Sequence, residues 1–402
     1  MIQYYMPLII ILLPTTFWFI AKALFWYHIY VGFKILISII YKLRYQVFNS
    51  DLKLAYSSSR AIFITGATSG IGLALAKYFH SRGYKVIVGY LTKEESGYYE
   101  LRALSSKEDQ ISEIFFVEIN VHSMDSIANA YRCIQEILKQ NQLQLHALIN
   151  NAGVIDFIPA QWIPSENIEN IVKTNLIGPM LVTRRFLPLL ITTPDSRVIN
   201  VSSALAIWLS SCCGIYGATK AGLAYYTNCL QFDIAKYGVK AVTIYPCNLI
   251  RNTGIMRDCA RYNQRVVNGL TELEKEIYKT DLDKHFHTVS RTQQDIRDYQ
   301  EKLKAYAQRP EEENTCQGFL RRVYAVVTGA IENYTEIENS SLIHSFDNAI
   351  TLVYPPGEMF AGNRFFQIAV ASFIEQVSQS TRLLMGLVAK KFGLDILSIQ
   401  DY

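Results

Sequence analysis

The chain has 402 residues, half of them hydrophobic and 12% aromatic, and its 18% charged residues fall below the roughly 25% of an average soluble domain. That apolar content excludes fibrous, collagen-like and wholly disordered chains, because it suffices to bury a core. A net charge of +4 is too small and too scattered for a nucleic-acid footprint, and seven cysteines without a C-x-x-C argue for a reducing compartment over a disulfide or zinc scaffold.

The apolar excess sits at the front. Residues 1–50 contain no Asp or Glu, and two apolar stretches, 5–21 and 23–41, fill most of them. Each approaches the roughly 20 residues that cross a bilayer as a helix. Phe17, Trp18, Phe25, Trp26, Tyr27 and Tyr30 are aromatics of the kind enriched at membrane interfaces. A cleaved signal peptide is the competing reading, but no basic region precedes the apolar run and more apolar chain follows it. Residues 1–45 are therefore expected to be a membrane anchor, either one span or a hairpin, with membrane lipid as partner. Lys42, Arg44, Lys53 and Arg60 follow, which puts the downstream domain in the cytosol.

From residue 60 onward the pattern alternates. Short apolar, β-branched runs at 61–65, 85–89, 113–119, 146–150, 197–201 and 239–245 predict strands, and 73–80, 126–139, 168–190 and 216–236 predict helices. Such alternation predicts an α/β fold, a doubly wound parallel sheet (Rossmann-like) with ligands beyond the carboxyl ends of its strands. Gly66, Gly70 and Gly72 stand directly between the first strand and the first helix. There glycines allow a tight turn and let the backbone approach a pyrophosphate at the helix N-terminus.

That glycine spacing, with four further motifs in order, resembles the short-chain dehydrogenase/reductase family over residues 60–255. Thr65-Gly-Ala-Thr-Ser-Gly-Ile-Gly72 is similar to the family's cofactor loop, and Asn150-Asn-Ala-Gly153 to the motif ending its fourth strand. Asn175 falls at the family's helix asparagine, Asn200-Val-Ser-Ser203 ends the fifth strand, and Tyr216-Gly-Ala-Thr-Lys220 is a Y-x-x-x-K, 13 residues beyond Ser203. The resemblance implies catalytic Asn175, Ser203, Tyr216 and Lys220, with Lys220 holding the nicotinamide ribose and Asn175 positioning a proton-relaying water. It implies a nicotinamide cofactor held by Gly66, Thr68, Ser69, Gly70, Ile71, Gly72, Asn120, Asn151, Ala152, Gly153, Tyr216, Lys220, Pro246 and Thr253. The residues agree: Tyr216 and Lys220 share a helix face at i and i+4, and a nearby ammonium is expected to lower the phenol's pKa. Ser203 can hydrogen-bond the substrate oxygen.

Several positions depart from the family. The second strand ends Gly89-Tyr-Leu91 without the acidic residue that binds an adenosine ribose, and neither Ser69 nor Tyr90 is a cation for a 2′-phosphate. Asn120 replaces the usual Asp, Cys247 follows Pro246 where glycine is usual, and Ala206 stands where many members have Gly. NAD is the expected cofactor, with NADP as the alternative. The stretch 86–93 resembles the branch of retinol, 17β-hydroxysteroid type 2 and 3-hydroxybutyrate dehydrogenases. An apolar anchor suits a lipophilic steroid- or retinoid-like alcohol or ketone and the endoplasmic reticulum. A short hydroxy acid, with a mitochondrial address, is the alternative, and a non-catalytic nucleotide-binding scaffold a further one. A homo-oligomer is compatible with the sequence.

Residues 256–402 read as a substrate lid and C-terminal helical extension, with helices expected over 257–284, 293–308, 365–377 and 383–392. His285 and His287 read as surface residues and not a metal pair, and Cys212-Cys213 as pocket wall. Asn333 and Asn339 begin glycosylation sequons without meaning for a cytosolic domain.

Overall fold

The computed structural model describes residues 59–106, 113–207, 212–246, 259–283, 341–352 and 358–361, with Leu54, Ser210, His285, Gln294 and Pro355. The chain divides into two units, 1–54 with 352–354 and 55–351 with 355–402, and everything below belongs to the second.

Seven strands make one sheet: β1 (Arg60–Ile64), β2 (Lys85–Tyr90), β3 (Ile114–Glu118), β4 (Gln144–Asn150), β5 (Arg197–Val201), β6 (Lys240–Pro246) and β7 (Glu358–Ala361). Their order is β3-β2-β1-β4-β5-β6-β7, with every neighbouring pair parallel. The six predicted strands are present within a residue or two of their expected ends. They are largely apolar runs because helices cover both faces of the sheet, and the edge strand β3 is partly exposed. Strand order reverses between β1 and β4, and that is where an open α/β sheet leaves a crevice beyond its carboxyl ends.

One face packs against α1 (Gly70–Ser81), α2 (Ser96–Ser105) and, from far along the chain, α9 (Ser341–Thr351). Its core joins Ile62, Ile64 and Val88 to Leu75, Phe79, Leu101, Phe346 and Ile350. The other face packs against α3 (Met124–Gln140), α5 (Gly178–Ile191) and α6 (Gly214–Ala235), with Phe63, Leu148 and Val198 against Ile134, Phe186 and Leu230. Ser123 caps α3 by accepting from the Ser126 N–H at 3.2 Å. The long helix predicted over 168–190 is three pieces, α4 (Ser165–Val172), a π segment (Lys173–Ile177) and α5. A π turn inside an α-helix often marks a functional position, and this one holds Asn175.

The segment read as lid and extension does something else in part. Within it, α9 joins the core and β7 completes the sheet beside β6. The helix expected over 257–284 is broken: α7 (Cys259–Asn268) ends at Gly269, a Thr271–Glu274 capping box starts α8 (Glu272–Ile277), and residues 279–283 are helical again beyond Tyr278. Among the described residues no helix is long and apolar enough to cross a membrane. The predicted anchor at 1–45, both sequons and the expected helices at 365–377 and 383–392 lie outside the described residues, as does the one at 293–308 except for Gln294.

Candidate active site

The loop between β1 and α1 is shaped by glycine. Gly66 and Gly70 adopt φ of +61° and +50°, the left-handed region that favours glycine. A Cβ on Gly72 would run into the Gly66 carbonyl and lie 2.5 Å from Asn151 Nδ2 and 2.9 Å from Ala67 Cα. Ser69 is the N-cap of α1 yet makes no side-chain cap bond, which leaves the first-turn N–H groups to a ligand. This cradle fits a dinucleotide pyrophosphate. The loop is braced from β4: Asn151 Nδ2 donates to the Thr65 and Gly66 carbonyls at 3.0 Å, and Thr65 Oγ1 accepts from the Asn151 and Ala152 N–H groups at 3.0 and 3.1 Å.

Strands β4 and β5 end level with each other because Asn150 pairs with Asn200 in register. Their side chains meet, Asn150 Nδ2 donating to Asn200 Oδ1 at 2.8 Å and to Thr183 Oγ1 at 2.9 Å, while Asn200 Nδ2 donates to Thr227 Oγ1 at 2.8 Å. This buried relay ties β4, β5, α5 and α6 together directly below the loops that carry the expected chemistry.

The four expected catalytic residues come to one place, Ser203 just after β5, Asn175 on the π segment, and Tyr216 and Lys220 in the first turns of α6. Asn175 is fully buried, its Oδ1 accepting from the Val154 N–H at 2.9 Å and its Nδ2 donating to the Val154 carbonyl at 2.8 Å. Lys220 Nζ donates to the Val201 carbonyl at 2.9 Å and lies 5.7 Å from the centre of the Tyr216 ring. A Cβ on Gly153 would stand 3.3 Å from both Asn175 Oδ1 and Lys220 Nζ, which places those two side chains over the same glycine. Ser203 caps the short 3₁₀ turn Ala204–Ala206, its Oγ accepting from the Leu205 N–H at 3.1 Å, and it also hydrogen-bonds Tyr216.

The electrostatics correct one expectation. Burial pushes the Tyr216 phenol up to about 12; the hydrogen bond with Ser203 pulls it down and the nearby Cys213 adds to the rise. Burial also brings the Lys220 ammonium down to about 8. Desolvation of both charged forms therefore outweighs the expected lowering of the phenol by the ammonium.

Ile71 packs partly against the core beside the loop, Asn120 follows β3 with its Oδ1 accepting from the His122 N–H at 2.9 Å, and Pro246 closes β6. Thr253 lies outside the described residues. Beside Cys212 the Cys213 thiol is buried, and burial pushes it up to about 11.

His285 is buried, against the expectation of a surface residue. It lies between Phe157 and Trp162, with ring centres 6.3 and 5.5 Å away, Nε2 is 2.9 Å from Asn263 Nδ2 and Nδ1 is 3.7 Å from Cys212 Sγ. An aromatic box and a side-chain donor make burial of a neutral imidazole tolerable, and burial lowers its pKa. His287 lies outside the described residues, and among the described residues no group of three or more His, Cys, Asp or Glu could hold a metal.

Motif reading passed over Thr65, Thr219, which takes a hydrogen bond from Asn175 at 3.3 Å, and Glu95, which accepts from Thr68 across 27 residues. Thr65 and Thr219 stand inside the cofactor-loop and Tyr216–Lys220 motifs, and Glu95 stands beside Lys93 as a charge that offsets it.

A parallel sheet with a glycine cradle at its switch point defines a dinucleotide-binding α/β domain. The sequence pattern of the short chain dehydrogenases matches residues 60–261, and the chain belongs to that family, whose members are NAD(P)-dependent oxidoreductases acting on CH–OH groups. It is 32% identical to the mitochondrial D-beta-hydroxybutyrate dehydrogenase of Mus musculus over 52% of this chain and 61% of the relative. With estradiol 17-beta-dehydrogenase 2 of Rattus norvegicus identity is 31% over 60% of this chain and 61% of the relative. Retinol dehydrogenase 7 of Mus musculus is 29% identical over 61% of this chain and 74% of the relative. The chain thus spans under two thirds of the length of the first two.

Proposed function

We propose that the protein is a membrane-anchored, NAD-dependent oxidoreductase that interconverts a lipophilic alcohol and its carbonyl, with a steroid- or retinoid-like substrate. The observation that carries this is the meeting of Asn175, Ser203, Tyr216 and Lys220 beside the glycine cradle. Bound nicotinamide supplies the hydride chemistry. The chain's own residues handle the proton and the oxygen. With a phenol held at about 12, Tyr216 is protonated at neutral pH and is the proton donor to a carbonyl oxygen. In the oxidative direction the substrate's hydroxyl proton would go to the Tyr216 oxygen, which must first be ionised. Lys220, at about 8 and fixed by Val201, is the cation placed to favour that ionisation and to hold the ribose hydroxyls. Ser203 orients the substrate oxygen, and Asn175 holds the β4 exit at Val154 in place.

The branch of relatives that includes estradiol and retinol dehydrogenases, together with the acid-free apolar front of the chain, supports the lipophilic substrate and the endoplasmic reticulum, with the catalytic domain in the cytosol. The hydroxybutyrate relative supports a second reading, a short hydroxy acid. Absorbance at the nicotinamide band, screened across steroids, retinoids and 3-hydroxy acids with the full-length protein, separates the two. Turnover confined to short hydroxy acids overturns the first reading, and no turnover with any alcohol or ketone overturns both. Removal of residues 1–45 is expected to release the protein from carbonate-washed membranes, and retention in the pellet refutes the anchor.

A further inference from the structure

The acidic residue that a dinucleotide fold uses to grip the adenosine ribose is absent from the end of β2. There Tyr90 is buried and turned onto Tyr98, ring centres 4.9 Å apart, and Tyr98 in turn packs on Phe116. The next strand–helix connection brings a carboxylate back. Glu95, the N-cap of α2, accepts a hydrogen bond from the buried Thr68 hydroxyl of the glycine loop.

This contact is built in. A Cβ on Gly97 would run into the Thr68 carbonyl and lie 2.7 Å from its carbon and 3.0 Å from Leu73 Cδ2, so the first turn of α2 sits against the cofactor loop. The Lys77–Glu100 ion pair at 2.6 Å ties the same two helices one turn further on. The Glu95 carboxylate therefore stands between the glycine loop and the end of β2, the region where a dinucleotide fold places the adenosine ribose. The bond to Thr68 uses one of the four acceptor sites of a carboxylate.

We propose that Glu95 is the specificity-determining residue for the cofactor: its carboxylate accepts from the ribose hydroxyls of NAD and repels the 2′-phosphate of NADP. The inference rests on the reading of the Gly66–Gly72 loop as a dinucleotide site. The cations nearby do not offset it. Lys93 is exposed, and Arg102 reaches the Tyr98 hydroxyl at 3.3 Å while its guanidinium lies 4.5 Å over the Phe116 ring.

The test is calorimetric binding of NAD and NADP to full-length protein in detergent, for the parent and Glu95→Gln. Gln keeps an acceptor for Thr68 and nearly the same shape, so it removes charge and little else. The NADP-to-NAD affinity ratio should rise about tenfold in the variant, NADP tightening while NAD weakens. A salt series on the parent reads the same charge without a substitution. Rising ionic strength should narrow the gap by screening the repulsion. An unchanged ratio in Glu95→Gln, or an equal loss of both affinities, overturns the inference while leaving the dinucleotide site standing. So does a ratio that moves further toward NAD as salt rises, because that is the sign of a phosphate gripped by a cation. If the parent binds neither nucleotide, the cradle reading falls and the inference falls with it.

Discussion

At the amino-terminal end of the sheet Arg197 is fully buried on β5. Its Nη1 donates to the Ala349 and Ile350 carbonyls at 2.8 and 2.6 Å, and its Nη2 to the Asp195 carbonyl at 2.6 Å. His146 on β4 adds a contact of 3.2 Å to the Ile350 carbonyl. At the carboxyl end of the same strands, Lys220 and Tyr216 are buried almost as deeply, but their polar atoms face Val201, Ser203 and Gly153. Both ends bury a cation, and both pull its pKa down, Arg197 to about 10 and Lys220 to about 8. The comparison shows that burial does not distinguish structure from chemistry. What distinguishes them is where the donors are spent. Arg197 spends its own on the carbonyls that end α9 and so holds a distant helix to the sheet, whereas the Tyr216 hydroxyl and the Lys220 ammonium stand beside the nucleotide cradle.

The largest effect expected is at the catalytic end. Tyr216→Phe removes only the transferable proton, and turnover should fall by about 10²–10⁴ with nucleotide affinity within a few-fold of the parent. Steady-state kinetics and nucleotide binding on the same preparation check this. Turnover within tenfold of the parent would mean that Tyr216 is a core residue like those at the other end.

Arg197→Leu attacks the structural end. It takes donors from the Ala349, Ile350 and Asp195 carbonyls, of which Ile350 keeps His146, and denaturant titration should register a loss of about 2–5 kcal/mol. The folded fraction should keep its nucleotide affinity. A loss under about 1 kcal/mol would show that α9 docks without the clamp.

Acidification probes the same end through His146, whose pKa burial and the neighbouring Arg197 and Arg60 bring down to about 3. The folded state holds its imidazole neutral, whereas the unfolded chain takes up a proton below about 6.5. Stability from this group is thus complete above pH 6.5 and lost as pH falls toward 3. The loss should run at about 1.4 kcal/mol per pH unit, beyond that of His146→Gln, which keeps a donor for Ile350. Parallel stability-versus-pH curves for parent and variant would contradict the buried neutral histidine. The smallest effect belongs to Lys93→Ala. Lys93 is exposed on the β2–α2 connection, so NADP affinity should change by less than about threefold, since exposed charge pairs contribute little.

Local pattern sufficed for the alternating strands and helices and for picking out the four side chains that the fold gathers at the candidate site, because each of those signals lies within a few residues of chain. The apolar runs of β1 to β6, the three glycines after β1 and the i, i+4 pair of Tyr216 and Lys220 are of this kind. Three things needed the folded chain. The last strand comes from 358–361, nearly a hundred residues beyond α7, and only pairing with β6 identifies it. His285 looks like a surface residue until Phe157, Trp162 and Asn263 close around it. In the sequence Glu95 is, with Glu94, a charge that offsets Lys93; its hold on the cofactor loop shows only when Gly97 lets its helix touch that loop and Thr68 bonds it. Even the protonation of Tyr216 went this way. Spacing put an ammonium beside the phenol, but the depth at which the fold encloses them decided that desolvation prevails. Sequence determines what short-range geometry can express, whereas burial and contacts between distant segments arise only when the sheet and its two helical layers close.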